Sequence, residues 1–111
     1  LKEVTLTTLS RIGKGVFDGC RQLERVALGQ RTRVSEGMFK NCTSLKEITV
    51  YSDIVDNEAF SGCSALEKVV IENDMTYLGK SAFAKCTKLS SVTFNGQLEQ
   101  IARAGVEIIL V

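Results

Sequence analysis

From Phe17 to Leu28 the chain reads F-D-G-C-R-Q-L-E-R-V-A-L, and the frame of this stretch returns three times. Its apolar positions are Phe17, Cys20, Leu23, Val26 and Leu28. They recur as Phe39, Cys42, Leu45, Ile48 and Val50, then as Phe60, Cys63, Leu66, Val69 and Ile71, and again as Phe83, Cys86, Leu89, Val92 and Phe94. Leu1, Val4 and Leu6 supply the tail of a further copy. The cysteines lie 22, 21 and 23 residues apart. A fixed period in the low twenties is the signature of a solenoid, in which each unit covers its neighbour's apolar face.

Within each repeat the steps are rigid. Phe to Cys, Cys to Leu, and Leu to Val or Ile are each three residues, and the last apolar residue follows two later. A step of three suits a tight helical or turn segment, whose side chains at i and i+3 eclipse. A step of two suits a strand. The spacing therefore predicts a short helical or turn segment over residues 17–23 and a short strand over 25–28. Five residues before each Phe stands another apolar residue, Ile12, Val34, Val55 or Leu78, expected to start a second extended edge. Length varies only between the strand and that edge, where Gly29, Ser52, Asp53, Asn73, Asp74, Asn95 and Gly96 form turns.

The pattern I/V-x-x-x-x-F-x-x-C-x-x-L-x-x-V-x-L, carried from Ile12 to Leu28, Val34 to Val50, Val55 to Ile71 and Leu78 to Phe94, resembles the BspA-like, treponemal type of leucine-rich repeat. The resemblance departs in one respect: the chain has no proline, which that family often places after the strand. It implies an α/β leucine-rich-repeat solenoid with short parallel strands on one face, short helical or turn segments, and 21–23 residues per repeat. The expected organisation is one solenoid domain: a partial repeat over 1–6, repeats over 7–28, 29–50, 51–71 and 72–94, and a degenerate segment over 95–111. In that segment Leu98 and Ile101 keep the pattern, while Val106 and Ile109 stand where Phe and Cys belong. A start inside a repeat predicts that the chain is part of a longer protein. The resemblance further implies an extracellular or cell-surface location and adhesion to host or matrix molecules.

Composition narrows the chemistry. With 44% hydrophobic and 24% charged residues, the chain has the make-up of a folded globular protein. Its formal net charge of +1 gives no strong field to draw nucleic acid, and no apolar run has the length of a membrane span. There is no histidine, so neither a Ser-His-Asp nor a Cys-His arrangement can be assembled. Gly13-Lys14-Gly15 lacks the phosphate-loop spacing, and Asp53, Asp56 and Glu58 lack that of a calcium loop. Asn41-Cys42-Thr43 matches the N-glycosylation triplet but overlaps a packing position. No enzyme activity, cofactor or metal is expected. The once-per-turn position of Cys20, Cys42, Cys63 and Cys86 reads as buried reduced thiols. Disulfides between stacked turns are the alternative, since turns about 4.8 Å apart bring their Cα atoms within bridging range.

Strand residues flanking the inward Val or Ile point outward. Up the stack one column reads Glu3, Arg25, Glu47, Lys68, Ser91, and its neighbour Lys2, Glu24, Lys46, Glu67, Ser90. Both alternate in sign up to the terminal serine, which places an opposite charge next to each charged residue along the column. A third column, Thr5, Ala27, Thr49, Val70, Thr93, is small and flat, and the next is Thr7, Gly29, Tyr51, Glu72, Asn95. A flat sheet with one aromatic suits a protein partner better than a small-molecule cleft. Arg25, Glu47, Lys68, Tyr51 and Glu72 form the candidate ligand face, against the simpler reading of a solvated face with weak ion pairs. The expected role is a non-catalytic protein-binding or adhesion module with an unknown protein or matrix ligand. The alternative is a spacer that displays another domain. The apolar ends, Leu1, Val4 and Leu6 at the start and Val106, Ile108, Ile109, Leu110 and Val111 at the finish, predict end-to-end self-association, the alternative being that the tail folds back as a cap.

Overall fold

The computed structural model describes residues 1–6 and 12–96 of the chain. Position Thr7 and the tail positions Leu98, Ile101, Val106, Ile108, Ile109, Leu110 and Val111 lie outside the described residues. Alternating inward and outward side chains give strands in each repeat, where Val, Ile and Leu fill the inward positions. In chain order they are β1 (Glu3–Leu6), β2 (Arg25–Leu28), β3 (Glu47–Val50), β4 (Ile54–Val55), β5 (Lys68–Ile71), β6 (Tyr77–Leu78) and β7 (Ser91–Phe94). All pairings are parallel, as in a coil that advances one turn per repeat. β1 pairs with β2 in the register Glu3↔Arg25, β3 with β5 as Glu47↔Lys68, and β5 with β7 as Lys68↔Ser91. The sheet is interrupted once: no ladder joins β2 to β3.

The second edge is short, and its apolar repeat positions end its strands rather than start them. β4 pairs with β6, and Val34 bridges to Val55. Val55 and Leu78 close these two-residue strands, with Ile54 and Tyr77 before them, and Ile12 belongs to no strand.

The Phe-x-x-Cys-x-x-Leu segments correct the α/β expectation. Among the described residues there is no helix, and the segments are chained turns. Cys42 N–H donates to the Phe39 carbonyl at 3.1 Å, and Leu45 N–H to the Cys42 carbonyl at 3.3 Å. Each segment has one left-handed residue two positions before its Phe and another between its Phe and Cys: Gly15 and Gly19, Gly37 and Asn41, Glu58 and Gly62, Ser81 and Lys85. A left-handed residue every four positions prevents i→i+4 bonding and turns alternate N–H groups toward the next coil. Phe17 N–H thus donates to Met38 O at 3.0 Å, Phe39 N–H to Ala59 O at 2.8 Å and Phe60 N–H to Ala82 O at 2.8 Å. Backbone hydrogen bonds that a helix would close within itself here run between repeats.

Side chains follow the same vertical logic. Phe17, Phe39, Phe60 and Phe83 stack with centroids 5.6, 5.5 and 5.6 Å apart and interplanar angles of 9°, 11° and 4°. Phe39 and Phe60 are fully buried, and Phe17 and Phe83 are half-buried against the same core. Leu23, Leu45 and Leu66 are buried in the adjoining column, and Leu89 is half-buried.

Candidate binding face

The thiols have a bonding role that spacing did not reveal. Cys42 Sγ donates to the Phe17 carbonyl at 3.2 Å, Cys63 Sγ to Phe39 at 3.0 Å and Cys86 Sγ to Phe60 at 3.1 Å. All four cysteines are free. Cys42 and Cys63 are buried, whereas Cys20 and Cys86 are only half-buried, so full burial of the whole column is corrected at its two ends. Burial is the main cause that pushes the Cys42 thiol up to about 12 and Cys86 up to about 11, and Cys63 is raised in the same way. Such thiols stay protonated, and thiolate chemistry is not available to them at neutral pH. Among the described residues no group of three or more His, Cys, Asp and Glu is placed to hold a metal ion. No helix among them is long and apolar enough to cross a membrane.

The outward strand face carries Arg25, Glu47 and Lys68, all exposed. Of the two alternating columns, only Glu3–Arg25 closes an ion pair, at 2.5 Å. The Glu3 carboxylate, through its hydrogen bond, holds the Arg25 guanidinium above its ordinary value. Arg25 does not pair with Glu47, nor Glu47 with Lys68, so the charges alternate without forming a vertical chain of contacts. For exposed groups this is expected, because fixing two long side chains costs as much entropy as the pair returns. The other described ion pairs stand on different faces: Lys14–Glu36 at 3.8 Å, Arg33–Asp56 at 3.2 Å and Lys40–Glu58 at 3.0 Å.

Tyr51 is half-buried rather than projecting freely, and its carbonyl accepts from Arg31 N–H and from Asn73 Nδ2. Glu72 is exposed and accepts from Asn95 Nδ2. Arg25, Glu47, Tyr51 and Lys68 border one cleft of about 460 Å³, together with Glu24, Ala27, Leu28, Thr49 and Val70. Glu72 stands outside it. The cleft follows the break between β2 and β3, a feature with no signal in the repeat pattern. A second aromatic missed by sequence reasoning, Tyr77 on β6, lies on the other sheet edge, where its hydroxyl donates to Asn57 Oδ1 at 2.7 Å.

A parallel-strand solenoid with free core thiols and an outward, mixed-charge strand face defines a leucine-rich-repeat protein, a class built around interaction surfaces rather than reaction centres. The family described as BspA type leucine rich repeat region matches residues 1–105 in six copies. The chain belongs to that family. No curated protein and no solved structure matches it significantly.

Proposed function

We propose that the chain is a non-catalytic protein-binding or adhesion module of a cell-surface or secreted protein. Its partner docks on the outward face of β2, β3 and β5, against Arg25, Glu47, Lys68 and Tyr51, with Glu72 at the margin. The observation that carries this reading is the cleft of about 460 Å³ on that face, with polar and apolar lining and alternating charge. Alternating signs oppose long-range attraction of polyanions and favour close-range complementarity with a protein surface.

The test is binding of the purified chain to a panel of immobilised soluble and matrix proteins, with Arg25→Glu and Tyr51→Ser variants beside the parent. Binding that both variants weaken supports the reading. Binding that neither variant changes places the docking surface elsewhere.

The continuous Phe stack favours a second reading, a stiff spacer that displays another domain, in which case the isolated chain binds nothing on the panel. End-to-end association draws on β1, which pairs on one side only among the described residues, beside half-buried Val4 and Leu6 and exposed Leu1. Light scattering over a concentration series tests it.

A further inference from the structure

Where β2, β3 and β5 begin, six exposed charges surround one cleft of about 450 Å³: Glu24 and Arg25, Lys46 and Glu47, Glu67 and Lys68. Each repeat contributes one acid and one base, and their order reverses from one repeat to the next. Of the six, only Arg25 closes an ion pair among the described residues, with Glu3 of the repeat below. The other five stand exposed without one. Further along the strands come Ala27, Thr49 and Val70, and beyond them Gly29 and Tyr51.

This pattern is complementary to itself. A twofold axis laid along the β2–β3 seam, in the plane of the face, sets β2 of one copy opposite β3 of another and reverses the coil. Glu24 then meets Lys46 of the second copy, and Arg25 meets its Glu47. Ala27 meets Thr49, and Tyr51 lies over Gly29, where no side chain obstructs the ring. Glu67 and Lys68 meet Lys2 and Glu3, so all eight charges of these four repeats face an opposite sign. An axis on β3 would instead set Glu24 against Glu67 and Arg25 against Lys68. An axis on the β3–β5 seam would leave Glu24 and Arg25 opposite Ser90 and Ser91, and Tyr51 opposite Glu72. The face thus favours one register and penalises its neighbours.

We propose that this face is the interface of a symmetric dimer, in which a second copy of the chain lies across the β2–β3 seam with its coil reversed. In such an isologous contact each pairing occurs twice, so one good pair counts double. This rests on the docking-face reading and names a second copy of the chain as an occupant. Because small residues lie at the centre and exposed charges around them, the dimer should dissociate at about 10–100 µM and weaken with salt.

The experiment is sedimentation velocity on the whole chain over a concentration series, in about 20 mM and about 500 mM salt. The parent should dimerise, about tenfold more weakly or worse at the higher salt. Arg25→Glu and Glu47→Arg should each be monomeric, since each sets like charges together at two places, and circular dichroism checks that both stay folded. An equimolar mixture of the two should form a one-to-one dimer, and the double variant should dimerise alone, because both arrangements restore opposite charges across the seam. A parent that stays monomeric up to about 1 mM in low salt overturns the proposal. The docking face is judged separately, by whether that monomer binds a panel protein through Arg25 and Tyr51. Association that neither variant weakens runs through the ends of the coil and overturns the proposal too. Loss in both single variants without recovery in the mixture overturns this register.

Discussion

Cys63 Sγ lies 3.0 Å from the carbonyl oxygen of Phe39 and donates to it across one turn of the coil. That carbonyl already accepts the Cys42 N–H, so the thiol fills its second lone pair rather than rescuing an orphan. Cys63→Ala removes both the bond and the buried sulfur and should lower stability by about 1–2 kcal/mol. Urea unfolding midpoints of the two proteins check this, and an unchanged midpoint would show that the thiol ladder is idle.

Thiol reactivity should follow position in the stack. Half-buried Cys20 should react first with a thiol reagent in the native chain, and buried Cys63 last, with all four reacting in denaturant. Mass spectrometry of partly labelled protein gives the order directly.

Stability should fall in alkali, and the sign follows from the thiols. Their folded values are raised, so the unfolded chain releases protons first as pH rises. The contribution is complete below the ordinary value of 9.0 and is lost between there and about 12, the folded value of Cys42. Unfolding free energies measured between pH 7 and 10.5 should decline, and a Cys42→Ala, Cys63→Ala chain should decline less steeply.

In the aromatic column, Phe39→Ala and Phe60→Ala should each cost about 3–5 kcal/mol, because both rings are fully buried with a ring on either side. Phe17→Ala should cost less, since Phe17 is half-buried. Equal losses at central and outer positions would contradict the stacking.

A tight approach of backbone to backbone occurs at Gly79, whose N–H donates to Val55 O at 2.7 Å. A Cβ there would collide with the backbone of Asp56 and Asn57. Gly79→Ala should cost about 1–3 kcal/mol, the usual range for overpacking. Thermal unfolding of the variant measures it, and a neutral result would mean that the β4–β6 corner yields easily.

The spacing of Phe39, Cys42, Leu45, Ile48 and Val50 was enough to place the coil, its strand β3 and its parallel neighbours, because a solenoid repeats one local solution and its period is written directly in the chain. Spacing alone did not separate a helical segment from chained turns, since i→i+3 eclipsing is common to both. The left-handed residues decided it, and half of them, Asn41, Glu58, Ser81 and Lys85, are not glycine and give no warning in sequence. The charge columns were legible as a pattern, but the partnering was not. Arg25 meets Glu3 and not Glu47, because contact between exposed side chains depends on local spacing and solvent rather than on sign. The break between β2 and β3 was the least legible feature. Val26 and Ile48 keep the repeat, so local chemistry is the same on both sides of the seam. Whether two in-register strands close their ladder is set by how the whole coil stacks, and only the tertiary structure holds that information.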